Sequence, residues 1–515
     1  MQARKWIVTF TVILASMIEL IDVSIVNVAL PQMMGNLGAS LDEAAWVVTT
    51  YVVANVIVLP MAGWLSARLG RRNYFIGSIV VFTVASFFCG QAEGIWSLIF
   101  FRFVQGIGGG ALLSISQAIL VETFPPEELG IATGLFGLGV VVGPTVGPTL
   151  GGWITDNYSW PWIFYVNLPI GALAALLAAG FIADSPEESG QAGQQVDWWG
   201  IVLLTVGIGS LQVVLERGEA EDWFASGYIA VLVIVAAVGI VAFVIRELTA
   251  EHPIVDLRVL KDRSLALGSL FTFVLGFGMY ASVFVFPVFA QGLLRFTAMQ
   301  TGLILLPGAM ATAFMMPTAG KLLQRGVSPR VLTALGFGSL SLFAWTVSQS
   351  TLQSGRPDFF WALIFRGLGL GLVFVPLTTL ALGGLKGAQI AQGSGLTNMM
   401  RQLGGSFGVA LISTYIGRVQ WEHRTELLTN VTRYDAAVTE RVTAWTAALV
   451  GRGVPLFDAQ RAAAGMLEKA VVGQTMLLSY MDAFRLMAVF FIACIPLLIL
   501  FKKTERRGPV DVLGH

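Results

Sequence analysis

Runs of roughly 18–25 apolar residues recur about fourteen times along this chain, and each is long enough to cross a bilayer core of about 30 Å as a helix. Hydrophobic residues make up 56 % of the 515 and charged residues only 12 %, against roughly 25 % charged in a soluble domain. The pattern predicts an all-α membrane protein with 14 transmembrane helices, near 6–30, 44–66, 73–92, 95–121, 131–155, 162–183, 198–215, 227–245, 264–289, 301–319, 330–348, 358–383, 388–416 and 484–501. The first run carries two acids and lacks a small-residue cleavage site, so it reads as a retained span.

Composition excludes several functions. The balance of 31 basic and 31 acidic residues gives no case for nucleic-acid binding. Cys89 and Cys494 fall within apolar runs, so no disulfide framework is implied. His252, His423 and His515 lie outside the runs, which leaves any intramembrane proton to a carboxylate. The nucleotide loop Gly-x-x-x-x-Gly-Lys-Ser/Thr does not occur, and nothing calls for a metal, a cofactor or an enzymatic reaction.

An even number of spans puts both termini on one side. Short loops on that side, with the tails, hold Arg4, Lys5, Arg68, Arg71, Arg72, Arg246, Arg258, Lys261, Arg263, Lys321, Arg325, Arg330, Lys386, Lys502, Lys503, Arg506 and Arg507. The short opposite loops hold Arg217, Arg295 and Arg356. Basic residues mark the cytoplasmic side, so both termini are expected there. Glu127–Glu128 and Glu187–Glu188 break the pattern without reversing it.

The two ends of the chain echo one another, as in transporters built from repeated bundles. Gly63-Trp64-Leu65-Ser66-Ala67-Arg68-Leu69-Gly70-Arg71-Arg72 has a shorter echo at 320–326, and Gln105-Gly106-Ile107-Gly108 one in Arg366-Gly367-Leu368-Gly369. The expected division is 1–184 as one six-helix bundle, 185–263 as a linker with two inserted helices, and 264–515 as the second bundle. The last includes an outer loop, 417–483, with helical spacing of Leu456, Ala463, Leu467, Ala470, Val471 and Leu478 leading into the final span. That loop is either a solvated helical hairpin or a docking platform.

Five charges sit well inside the runs: Glu19, Asp22, Arg102, Arg366 and Arg401. A charge costs roughly 2.5–3.5 kcal/mol at a helix centre on insertion scales, so it persists where it is paired or faces water. Together they outline a polar path through a transporter. Glu19 and Asp22 are three apart, on one helical face. Burial disfavours a charged carboxylate and a second acid disfavours it further, so one of the two is suited to carry a proton. The alternative is a permanently paired structural carboxylate. Counting inward from Pro31 and from Ile95 puts Asp22 roughly 13 Å and Arg102 roughly 10 Å below the same surface, with Glu19 a turn deeper.

In the fifth run, Gly143-Pro144-Thr145-Val146-Gly147-Pro148-Thr149-Leu150-Gly151-Gly152 combines helix-bending prolines with glycines four apart. A bent helix packed tightly on a moving neighbour is expected. These motifs resemble the major facilitator superfamily, specifically its fourteen-span drug:proton antiporters of the EmrB/QacA type. The stretch Glu19 to Pro31 is similar to that family's first-span signature, and Arg102, Gln105, Gly106 and Gly108 to its fourth-span motif associated with proton transfer. The Gly-Pro run resembles the motif typical of exporters. The runs Trp162–Gly171 and Arg401–Ser406 also match. Ala67, Pro161 and Leu129 depart from the pattern, the first where an acid is usual.

The resemblance implies a proton-coupled efflux antiporter, a multidrug exporter working by alternating access in a bacterial cytoplasmic (inner) membrane. The alternative is an exporter of a native lipid, fatty acid or lysolipid. It implies Glu19, Asp22 and Arg102 in coupling, and Gly63, Arg68, Gly70, Arg71, Gly143, Pro144, Gly147, Pro148, Gly151 and Gly152 in helix packing and conformational change. Where the envelope has two membranes, it also implies the option of a periplasmic adaptor and an outer-membrane channel. A lining for a small lipophilic substrate is expected from Asn27, Gln105, Met279, Tyr280, Phe284, Met399 and Arg401, with Phe314, Met315, Met316 and Met400 as further soft contacts. Taken singly, each of these residues has a plainer reading as core or lipid-facing packing.

Overall fold

The computed structural model describes residues 2–125, 128–183, 196–385, 388–432 and 434–500. Glu127, Glu187, Glu188, Lys386, Lys502, Lys503, Arg506 and Arg507 lie outside them, as does the expected boundary at 184/185.

The described residues form sixteen α-helices and no strand. The first bundle contains α1 (Gln2–Leu37), α2 (Leu41–Leu69), α3 (Arg71–Gly90), α4 (Ile95–Thr123), α5 (Leu129–Asn157), α6 (Trp162–Tyr165) and α7 (Asn167–Phe181). Next come α8 (Trp198–Arg217) and α9 (Gly227–Thr249), packed on each other. The second bundle contains α10 (Arg263–Val288), α11 (Ala298–Gln324), α12 (Pro329–Val347), α13 (Phe360–Leu382), α14 (Ala388–Asn430), α15 (Ala436–Val450) and α16 (Leu456–Leu497). Twelve spans within the described residues are long and apolar enough to cross a membrane. Helices α5 and α14 are not among those twelve, yet both pack between other spans. The chain is therefore a multi-pass membrane protein.

Local chemistry sets the helix starts. Ser40 and Glu43 form a capping box at the start of α2, and Thr297 and Gln300 form another at α11, satisfying backbone N–H groups that have no intrahelical partner. Gly70, at φ 81°, turns the chain from α2 into α3 in a conformation that suits glycine. Helix α9 is apolar all round and leaves Val231, Ile234, Val238, Val241 and Ile245 exposed, the composition of a lipid-facing element.

The sequence echo has a structural counterpart. On α4, Gly106 approaches Tyr51 of α2, Gly108 approaches Phe82 of α3, and Gly110 approaches Asn55 of α2. On α13, Gly367 approaches Gly308 of α11, Gly369 approaches Gly336 of α12, and Gly371 approaches Met315 of α11. Gln105 and Arg366 therefore occupy matching positions.

The bundles meet along two seams. In one, α5 lies against α11, where a side chain at Gly130 would fall on Gly320 and one at Gly134 on Met316. In the other, α2 lies against α14, with Gly63 beside Gln392 and Gly395 beside Leu59. On the side where the chain begins, the gap is also plugged. Ala118 of α4 packs with Leu265, Ala381, Leu382, Leu385, Ile390 and Ala391, while Ser394 and Asn398 of α14 hydrogen-bond Gln117 of α4 at 3.0 and 2.9 Å.

Three boundaries differ from the sequence expectation. Helix α1 runs through Pro31 to Leu37, because most of its packing on the rest of the first bundle is unaffected by one missing N–H. Helices α14 and α16 have 43 and 42 residues, about 64 Å at 1.5 Å per residue, so each extends far beyond a 30 Å core. The 417–483 segment is thus largely a continuation of these two helices, with α15 packed on α16. A His423–Asp482 hydrogen bond (2.8 Å) and an Arg424–Glu468 ion pair (2.6 Å) tie the projecting parts together.

Candidate functional site: a paired and an unpaired acid on one helix

Helix α1 packs on α2, α4, α5, α6 and α7, all in its own bundle. Its two acids meet different surroundings. Asp22 is fully buried and forms an ion pair with the equally buried Arg102 of α4. The same carboxylate accepts from Gln105 Nε2 at 2.9 Å and from Asn167 Nδ2 at 3.0 Å. Arg102 donates to the Val47 carbonyl at 3.1 Å and to Gln105 Oε1 at 2.7 Å, and its guanidinium lies 4.1 Å from the Tyr51 ring centroid. Ser86 closes the network, accepting from Gln105 and Asn167 and donating to the Phe164 carbonyl. Both Asp22 oxygens are thereby partnered, as a buried ion pair requires to offset desolvation. Arg102 Nη2 has no hydrogen-bond partner among the described residues, and the guanidinium lies over the Tyr51 ring.

Glu19, one turn away, is 4 % exposed. Its Oε1 accepts from Asn55 Nδ2 at 2.9 Å, while Oε2 is buried with no hydrogen-bond partner among the described residues. An ionised carboxylate oxygen in that position is costly, and a protonated one is not.

The Gly-Pro run holds α1 in place. Helix α5 runs unbroken through Pro144 and Pro148, and one glycine face meets α1: Gly143 beside Leu20, Gly147 beside Ser24, and Gly151 beside Ile25. A Cβ at Gly143 or Gly151 would sit 2.8 Å from Leu20 or Ile25 side-chain carbon. The tightly packed neighbour is therefore the acid-bearing helix itself. A Cβ at Gly152 would meet α1 more loosely, 3.9 Å from the Val28 side chain.

The expected lining separates into two groups. Gln105 is 0 % exposed inside the Asp22 network, and Met279 is 3 % exposed within the second bundle. Met316 is likewise fully buried, and Phe314, 72 % exposed, shares an outward apolar face of α11 with Met310. Met399 packs in the α2/α8/α14 core beside Met400. Asn27 is exposed in the second half of α1, and Phe284 is 43 % exposed one turn beyond Tyr280, whose hydroxyl reaches Gln402 at 3.2 Å. Arg401 lies buried 5.7 Å from the Phe374 ring centroid, within electrostatic range of Glu19 and Tyr280. Arg366 is buried and donates to Ser282 at 3.0 Å.

Near the chain-start side, Arg71 is buried in an ion pair with Glu122 of α4, and Arg68 lies over the Trp64 ring. Lys5 pairs with Glu128 at 3.3 Å. Sequence reasoning missed Asn55, Ser86, Gln117 and Asn398, and left Asn167 inside a motif without a role. The available signal was an uncharged polar side chain within an apolar run. It also placed Arg217 in a loop and did not single out Glu247. Both are buried at helix ends, Arg217 pairing with Asp42 and Glu221 and Glu247 accepting from the Val255 N–H.

The Major Facilitator Superfamily profile matches residues 12–409. The fatty acid resistance protein FarB of Neisseria gonorrhoeae is 34 % identical over 509 residues, covering 98 % of this chain and 97 % of FarB. The multidrug export protein EmrB of Escherichia coli K12 is 33 % identical over 498 residues, covering 96 % and 95 %. The human organic anion transporter MFSD10 shares the fold at TM-score 0.59 and 13 % identity, covering 95 % of this chain and 99 % of that one. Helical architecture, repeat register and these relatives agree: the chain is a transporter of the major facilitator superfamily, in the group that holds EmrB and FarB.

Proposed function

We propose that this chain exports lipophilic or amphipathic compounds in exchange for protons, by alternating access, with Glu19 as the proton carrier. The observation that carries the reading is the contrast on α1: Asp22 is saturated by Arg102, Gln105 and Asn167, whereas Glu19 has a buried oxygen with no partner among the described residues. A carboxylate locked to an arginine holds its charge. One with a single neutral donor can exchange a proton at low cost. EmrB's description as a multidrug export protein supports the substrate class, and Phe284, exposed one turn from the Tyr280 whose ring lies within electrostatic range of Glu19, supplies apolar contact.

The proposed setting is a bacterial inner membrane crossed fourteen times, with α5 and α14 added to the twelve apolar spans, the termini in the cytoplasm, and the chain divided at about 184 and 263. Under that orientation the plugged side is cytoplasmic, which suits the outward-facing half of the cycle. Helices α14 to α16 then project outside the membrane, where they offer an adaptor a surface or shield the exit.

A second reading is favoured by FarB, described as a fatty acid resistance protein: export of a native fatty acid or lysolipid through the same site. Flux driven by a pH jump in reconstituted vesicles tests both readings, with a lysolipid and a cationic dye as competing substrates. Flux of either compound must depend on the pH gradient and be lost in Glu19→Gln. Gradient-independent flux removes the proposal.

A further inference from the structure

Arg401 is a buried cation with no carboxylate at ion-pair distance among the described residues; its charge interacts with Glu19 and Tyr280. These residues belong to different bundles, Glu19 on α1 and Arg401 on α14. Their relative height follows from the α2/α14 seam. Gly63 faces Gln392, and Leu59 faces Gly395. Continuing this antiparallel register by one turn brings Asn55, the donor to Glu19, level with the turn from Met399 to Arg401. A turn nearer the plugged side, α14 is already fastened to the first bundle through Asn398 and Gln117. Arg401 lies one turn past that fastening, on the side away from the plug.

We propose that Arg401 is the residue through which the second bundle senses the charge on Glu19. An ionised Glu19 attracts the guanidinium and draws α14 toward α1. A protonated Glu19 releases it. The groups facing Glu19 are Asp22 on its own helix, Tyr51 and Asn55 of α2, Arg102 of α4, and, across the gap, Arg401 and Tyr280. Helices α5, α6 and α7 bring no charged side chain to this level. Arg102 is held by Asp22 within the first bundle, so it cannot report Glu19 to the second. Arg401 is the cation on the other side of the moving gap, which makes it a positioning residue that acts through Glu19.

The inference rests on the proton role proposed for Glu19, and the test separates the two. Spin labels on Asn36→Cys, at the end of α1, and Gln291→Cys, beyond α10, report the opening; both positions are exposed, and the native cysteines are buried. In the otherwise unchanged full-length protein the distance distribution should shift between pH 5 and pH 9. Glu19→Gln and Arg401→Gln should each lose that shift, Arg401→Lys should keep it, and the double variant should behave like either single one. If Glu19→Gln responds like the parent, the proton role itself fails. If Glu19→Gln is flat while Arg401→Gln still responds, the Arg401 inference alone fails. A pH response kept in Arg401→Gln with loss of binding confined to a fatty acid, the dye being unaffected, would make Arg401 a substrate ligand and overturn the inference. Should Arg401→Gln not fold, absence of the pH shift in well-folded Arg401→Lys would also contradict it.

Discussion

The two bundles use the same glycine scaffold to hold different chemistry. Gly106, Gly108 and Gly110 bring α4 against α2 and α3, and Gly367, Gly369 and Gly371 bring α13 against α11 and α12. In the first bundle, Gln105 sits in a hydrogen-bond network around the Asp22–Arg102 ion pair. At the matching place in the second, Arg366 has Ser282 as its hydrogen-bond partner and no acid within ion-pair distance among the described residues. Close helix approach is a backbone property and survives in both copies. Charge balance depends on individual side chains and has diverged. The difference teaches that one bundle is built to hold a fixed charge beside a variable one, while the other faces it with unmatched cations.

The largest expected effect separates Arg102 from Arg366. Arg102→Ala leaves Asp22 charged, buried and unpaired, which costs about 3–5 kcal/mol, so thermal unfolding in detergent should show a strong loss of stability and vesicle transport should vanish. Arg366→Leu removes a buried cation that has no ionic partner and should leave the melting temperature unchanged or raised. Equal losses in both variants would break the comparison.

Next come the glycines. Gly108→Leu and Gly369→Leu should be comparably damaging, since each would strike the backbone of the third helix of its bundle. Gly147→Leu has no such equivalent. It would strike Ser24 and the Ile21 carbonyl of α1, and should abolish coupled transport while most of the protein still reaches the membrane. Normal export by Gly147→Leu, measured against its expression level, would show that α5 does not set the position of the acid-bearing helix.

Hydroxyl removals should give a smaller contrast. Ser86→Ala takes one donor bond and two accepted bonds from the Asp22 network, leaving buried groups unmet at about 1–3 kcal/mol. Ser282→Ala takes one bond from Arg366, worth about 0.5–1.5 kcal/mol. Chemical denaturation of the two variants orders them. The smallest effect belongs to Phe314→Ala: its side chain points away from the bundle, so transport should stay within about twofold of the parent, whereas Phe284→Ala should weaken substrate affinity more.

Much of this was legible in the sequence because its signals were local. Span lengths, the Gly-Pro run and the charges at 19, 22 and 102 stand out against an apolar background, and residue counting alone brought Asp22 and Arg102 to one depth. That depth match favours Asp22 over the deeper Glu19 as the partner of Arg102, and the ion pair forms there. The neutral donors around it were not local: Ser86 and Asn167 come from α3 and α7, and nothing in α1 encodes them. Hydrophobic and polar character do not say which way a helix is turned, so the burial of Gln105 and Met279 was not legible either. The projecting ends of α14 and α16 were read as a loop because their charged residues end the apolar pattern without ending the helix.

The central claim is that Glu19, and not the paired Asp22, exchanges the proton. Proton release on substrate binding to the detergent-solubilised protein tests it most directly, followed with a pH-sensitive dye in weakly buffered solution. The parent should release protons when the dye substrate or the lysolipid binds, and Glu19→Gln should bind that substrate with no release. Substrate-induced release of undiminished size from Glu19→Gln would contradict the account.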